Sequence, residues 1–192
     1  MPEDRAVSAP TVTWRNGVTA TPPPALAMIT CSYAPDLHRC RRLCHSVDRW
    51  VDRAIRHYLV VPARDRHLFE ALAGSRREIV SVEDILPGSY RQLPFARRWW
   101  LSPGGEPVRG WILQQITKLC ADRVTQAEYL LFADSDLMFL RSFGVAAVTD
   151  GDLLRLHRIP GAADSGRHLR WHHKAAELLG AERRYFGADY IG

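Results

Sequence analysis

Four apolar runs, spaced along the chain and each ending in polar or turn-forming residues, constrain this sequence more than any other feature. They are residues 25–33 (ALAMITCSY), 57–62 (HYLVVP), 78–82 (EIVSV) and 129–133 (YLLFA). A strand with one wet face alternates apolar and polar residues. Near-continuous apolar runs of this length are what strands covered on both faces require, as in a parallel sheet. The intervening segments read as helices. Pro35 and Asp36 open one through about Arg53, with Leu37, Cys40, Leu43, Cys44, Val47 and Val51 at helical spacing. Residues 65–73 read as a second helix ending near Gly74. Residues 108–123 read as a third, with Val108, Ile112, Ile116, Leu119 and Cys120 as its apolar stripe. Between them, residues 87–107 read as a long loop with four prolines, three glycines and the pair Trp99-Trp100. A short strand or turn over 137–143, a strand over 152–157 and a helix near 171–179 complete the pattern. Strand–helix alternation of this kind predicts an α/β fold with a mostly parallel sheet.

Composition narrows the class. With 192 residues and 46% apolar content the chain can bury a single-domain core. Residues 1–24, ending in three prolines, read as a flexible leader, and residues 25–192 as the folded domain. The formal charge is +5, from 26 basic and 21 acidic residues, and all but Lys118 and Lys174 of the basic ones are arginine. Those arginines are scattered through most segments, so no nucleic-acid partner is expected; basic charge alone is only a footprint. No run approaches the roughly 20 apolar residues of a membrane span, so the expectation is a protein without a transmembrane segment, soluble or peripheral to a membrane. Nothing in residues 1–24 resembles a secretory signal. The four cysteines, Cys31, Cys40, Cys44 and Cys120, are therefore expected as free thiols in a cytoplasmic setting. Cys40 and Cys44, four apart beside His45, lack the further ligands that zinc requires.

The chemistry concentrates in Asp134-Ser135-Asp136. Two carboxylates one residue apart, at the end of a buried strand, repel each other and are poorly solvated. A hard divalent cation relieves that repulsion. Strand alternation would point both side chains to one side, with Ser135 opposite, unless a turn here rotates one of them. In a parallel sheet the ligand site lies beyond the carboxyl ends of the strands, where these aspartates and residues 30–33 and 64–65 fall. The bland alternative is a capping turn, common in any protein. The flanking apolar segments YLLFA and LMFL hold the pair more firmly than a bare D-x-D.

Residues 110–119 (GWILQQITKL) followed by 129–140 (YLLFADSDLMFL) resemble the bacterial glycosyltransferases of GT-A type grouped as DUF6492, in which a GW-x-x-QQ-x-x-K-L helix precedes a strand ending in D-x-D. The match extends through the first strand, HYLVVPARDRHLF at 57–69 and the closing DYIG, so it spans nearly all of residues 25–192. The resemblance implies a GT-A-like, Rossmann-type α/β/α sandwich. It also implies a nucleotide-sugar donor, a glycan or other acceptor, Mn2+ or Mg2+ as cofactor, and a role in surface-glycan synthesis. Carried over by position, Asp134 and Asp136 would hold the metal. Thr30, Ser32, Tyr33, Asp65, Gln114, Lys118 and Asp134 would line the nucleotide site, with Lys118 approaching a phosphate or stabilising the aspartate pair, and Asp189 would stand near the acceptor as the catalytic candidate. Relatives continue into a second half, so the chain is expected to be the front part of a longer catalytic domain. His157, His168, His172 and His173 are candidate third ligands, though polar surface histidines are the commoner outcome. Two rivals stand beside this reading. One is a phosphatase of the haloacid-dehalogenase type, whose D-x-D normally sits on the first strand. The other is a truncated, inactive nucleotide-binding fragment.

Overall fold

The computed structural model describes residues 26–88, 90–96, 98–150, 153–155, 158–159, 165–182 and 190–191. Strand β1 (Leu26–Cys31) is buried along its whole length and leads through a 3-10 turn into helix α1 (Leu37–Trp50). Strand β2 (Arg56–Val61) follows, then helix α2 (Arg66–Phe69), strand β3 (Arg77–Ser81) and the single helical turn α3 (Val82–Ile85). Strands β4 (Arg91–Gln92), β5 (Trp99–Leu101) and β6 (Pro107–Arg109) precede helix α4 (Gly110–Leu119) and strand β7 (Tyr129–Phe132). Beyond these lie the pairs β8 (Thr149–Asp150) with β9 (Leu153–Leu154) and β10 (Arg158–Ile159) with β11 (Tyr190–Ile191). Helix α5 (Ser165–Leu179) is the last helix among the described residues.

The main sheet has the order β3-β2-β1-β7, and all three pairings are parallel. Alternation divides each strand between two cores. Leu26 and Met28 on β1 meet Leu43 and Val47 of α1, and Leu59 and Val61 on β2 meet Cys40, Cys44 and Phe69 on that same side. Ala27, Ile29, Cys31, Tyr58 and Val60 face the other way, against Val82, Ile85, Trp100 and Leu113. Helices therefore cover both faces, and the fold is α/β of Rossmann-like type, as the apolar runs predict.

Several boundaries differ from the sequence expectation for identifiable reasons. Residues 87–107, expected as loop, contribute β4 and β5 to a three-stranded antiparallel sheet completed by β6. Its glycines and all its prolines but Pro107, the first residue of β6, sit in the connections: Gly105, at φ 86°, forms the β5–β6 turn with Ser102 N–H donating to the Glu106 carbonyl at 2.9 Å. Residues 65–73 are not one helix; 3-10 turns at 63–65 and 70–72 flank the four residues of α2. Val108 lies in β6, so α4 starts at Gly110, where a Cβ would come within 3.4 Å of the Arg98 carbonyl. The stripe expected on α4 is also shifted. Leu113 and Thr117 are buried, whereas Ile112 and Leu119 are exposed. Residues 137–143 form no strand; Phe139 and Phe143 stack edge-on at 5.2 Å and pack onto the α1-side core. Of the strand expected over 152–157 only Leu153 and Leu154 pair, and Asp152, Leu156 and His157 lie outside the described residues.

Candidate functional site

The chain runs outward from β1 to β2 and β3, then crosses back to place β7 on the opposite side of β1. The carboxyl ends of β1 and β7 therefore border the crevice at which open α/β sheets bind ligands. The pairing puts Ile29 beside Phe132, and the Ala133 N–H donates to the Ile29 carbonyl at 3.0 Å. Asp134 thus emerges next to the end of β1.

Here the backbone turns. Leu137 N–H donates to the Asp134 carbonyl at 3.1 Å, which places Ser135 and Asp136 at the centre of a β-turn. The strand alternation that would put both carboxylates on one side therefore ends here, and the turn gives them different neighbours. Asp134 Oδ1 accepts from Lys118 Nζ at 3.1 Å on the α4 side, with side-chain exposures of 59% and 22%. Lys118 Nζ also lies 5.8 Å from the Phe132 ring centroid. Asp136 instead lines an open cleft of about 290 Å³ on the α1 side with Arg39, Arg42, Leu137 and Met138. Arg42 Nη2 approaches Met138 Sδ at 3.3 Å. The segment after the turn is pinned by Phe139 N–H donating to Ser46 Oγ at 3.0 Å, and Ser46 in turn donates to the Leu43 carbonyl at 2.7 Å. Ser135 is buried beneath the turn. Asp134 is therefore already paired with one ammonium, whereas Asp136 shares its cleft with Arg39, which pairs with Asp36 at 3.4 Å, and with Arg42.

The floor of the crevice is apolar and unreactive. Burial pushes the Cys31 thiol up to about 12; the Lys118 ammonium opposes this and the Asp134 carboxylate reinforces it. Cys31 is thus a packed thiol close to both charged groups. Ser32 Oγ is buried with no hydrogen-bond partner of good geometry, beside the Cys40 thiol. Tyr33 is half-buried at the same strand end, its carbonyl accepting from Asp36 N–H at 2.9 Å. Gln114 is half-buried on α4 and, four residues before Lys118, shares its helix face.

Two of the residues expected to touch nucleotide are already used inside the fold. Thr30 has no exposed surface, and its Oγ1 accepts from His57 Nε2 at 3.0 Å. His57 Nδ1 accepts from Arg77 Nε at 3.0 Å, which leaves the ring proton on Nε2. Arg77 closes the network on Asp48 Oδ1 at 2.6 Å and on the Leu72 and Cys44 carbonyls. Burial, then the charges of Arg77 and Arg76, push the His57 pKa down to about 3, so the ring is neutral. Asp65 is likewise buried. Its Oδ2 accepts from the Ala34 N–H at 2.9 Å, and so ties the end of β2 to the turn after β1. Asp189 and His157 lie outside the described residues. Sequence reasoning missed Arg39 and Arg42. Their signal was their spacing of three on α1, opposite the Leu37, Cys40, Leu43 and Cys44 stripe.

Among the described residues no group of three or more His, Cys, Asp or Glu side chains converges on one point. The turn offers two exposed hard-oxygen donors. A magnesium-like ion characteristically keeps only one or two carboxylates and takes its remaining ligands from phosphates and water. Either carboxylate alone is a donor of the kind such an ion takes beside a phosphorylated ligand.

No curated protein and no solved structure matches the chain. A family model does match, over residues 25–191, and its description is a family of unknown function, DUF6492. That match takes in the whole parallel sheet, α4 and the Asp134–Asp136 turn, and the chain belongs to the DUF6492 family.

Proposed function

We propose that the chain carries the donor-binding part of a metal-dependent glycosyltransferase of GT-A type, which takes a nucleotide-sugar and transfers the sugar to a glycan or other acceptor. One observation carries the reading: an acidic turn, Asp134 to Asp136, stands at the switch point between β1 and β7 with Lys118 against it. The reading assigns the carboxylates to a hard cation and the Lys118 ammonium to a phosphate oxygen. The Gly110–Leu119 helix and the D-x-D, which resemble the same family's pattern, support it further.

On this reading Asp134 and Asp136 would hold Mn2+ or Mg2+, and the ion would supply charge neutralisation for a leaving nucleoside diphosphate. Lys118 exchanges Asp134 for a phosphate oxygen as that charge grows, a contact stronger at the transition state than before it. Tyr33 and Ser32 border the nucleoside end of the crevice. Cys31, with its thiol held protonated, takes no part as a nucleophile. Calorimetric titration of UDP and GDP, with and without Mn2+, tests the proposal. Binding that needs the metal and disappears in Asp134→Ala is expected; absence of metal-dependent binding of either nucleotide overturns it.

A further inference from the structure

Away from the crevice, one end of the three-stranded sheet has an unusual surface. Cross-strand alternation turns Trp100 and Val108 inward, where Trp100 is buried, and turns Trp99 and Arg109 outward as a directly opposed pair. The Arg109 guanidinium lies 5.6 Å from the Trp99 ring centroid. Leu93 N–H donates to the Trp99 carbonyl at 3.0 Å, and Gly110 N–H donates to the Arg98 carbonyl at 2.7 Å. The turn over 93–96 and the first turn of α4 therefore flank the same end of β5. Phe95 is fully exposed on that turn, Trp99 is partly exposed, and Trp111 and Ile112 on α4 are 69% and 45% exposed. Arg98 and Arg109, both exposed, stand among them.

The charge around this end has one sign. Between Ile85 and Ala121 the sequence has a single acidic residue, Glu106, and the described cations at this end are Arg98 and Arg109; Arg91 lies opposite Leu101 at the other end of the strands and Lys118 lies at the crevice. Glu106 lies in the β5–β6 turn, at the opposite end of the strands, where it accepts from Ser102 Oγ at 2.7 Å. Large apolar side chains grouped in water mark an interaction surface. A sugar would stack on such rings, yet its hydroxyls need carboxylates or amides alongside, and the neighbours here are cationic. Aromatic rings at the boundary between water and hydrocarbon, framed by arginines, suit the headgroup layer of an anionic bilayer. No helix among the described residues is long and apolar enough to cross a membrane, so seating on the surface is the geometry available to these elements.

We propose that this surface seats the protein on an anionic membrane, with Phe95, Trp111 and Ile112 entering the headgroup layer and Arg98 and Arg109 meeting lipid phosphates. The inference stands on its own observations and does not depend on donor binding at the crevice.

Sedimentation of the full chain with phosphatidylcholine vesicles, with and without phosphatidylglycerol, tests it at low and high salt. Expected are capture by the phosphatidylglycerol-containing vesicles only, release by salt, and a blue shift of tryptophan emission that is lost in Trp111→Phe. Arg98→Gln and Arg109→Gln should each weaken capture about fivefold, the worth of one basic residue near a charged surface. Phe95→Ser should weaken it as well and, because that ring touches nothing, should leave the circular dichroism spectrum and melting temperature unchanged. Absence of capture, equal capture by neutral vesicles, or capture indifferent to Phe95→Ser overturns the proposal. So does a dimer in solution that dissociates in Phe95→Ser, which would assign the surface to a second copy of the chain.

Discussion

His57 offers a test of the buried network that depends on proton linkage. His57→Gln keeps a donor for Thr30 and an acceptor for Arg77 but removes the ionisable ring. In the folded chain the ring titrates near 3, against 6.5 for its unperturbed value, with burial as the first cause and the Arg77 and Arg76 charges next. A depressed histidine pKa means that between those values the unfolded chain binds the extra proton and the folded chain does not. The stabilising contribution is therefore intact above about pH 6.5 and falls as the pH drops toward 3. The slope is about 1.4 kcal/mol per pH unit, which amounts to about 2 kcal/mol between pH 7 and pH 5, a window in which ordinary carboxylates stay largely ionised. Urea unfolding across that window should show the wild-type chain losing about 2 kcal/mol more than His57→Gln, with the denaturant slope unchanged. Comparing the two proteins cancels the other histidines. Equal losses would refute the reasoning, because they would mean that the ring can be protonated inside the fold.

Two further expectations are simpler to check. Ser32→Ala removes a buried hydroxyl that has no good partner, so thermal unfolding should show stability unchanged or raised; under the proposed function the same variant should bind UDP·Mn2+ more weakly, which calorimetry reads separately. Native-state titration with a thiol reagent should label Cys120 first. Cys31, Cys40 and Cys44 are buried, so their reaction should follow global unfolding and slow in step with added stability.

The parallel sheet was legible in the sequence because β1, β2 and β7 carry near-continuous apolar stretches, LAMI, YLVV and YLLF, with their polar residues confined to the strand ends. The three-stranded sheet was not, since strands of two or three residues give almost no period and prolines and glycines dominate their neighbourhood. On α4 the hydrophobic stripe misled for a different reason. Thr117 is buried as a polar residue because its hydroxyl donates back to the Leu113 carbonyl at 2.9 Å, while Leu119 stays exposed. At the site, position along the strand was readable but direction was not. The aspartates did fall at a strand end beside Lys118, whereas the turn that separates their carboxylates depends on a backbone bond between Asp134 and Leu137. Thr30 and Asp65 look like ligand contacts in a list of strand-end residues. Only their partners, His57 and the Ala34 N–H, show that the fold itself consumes them.

The order of strands in the sheet also governs when the crevice comes into being. β1, β2 and β3 pair with near neighbours in sequence, but β7 reaches β1 through residues as far apart as Leu26 and Tyr129. Closing that long loop is slow, because its entropy is lost before any contact rewards it. During synthesis the residues of β1, α1, β2 and β3 leave the ribosome well before those of the acidic turn. The turn, Lys118 and the end of β1 meet through the pairing of greatest sequence separation in the main sheet. Anything that peels β7 away erases the whole charged constellation while most of the apolar interior stays closed. The crevice can therefore be lost by partial opening at less cost than global unfolding, and a ligand bridging β1 and β7 would act as a clamp on that edge of the sheet.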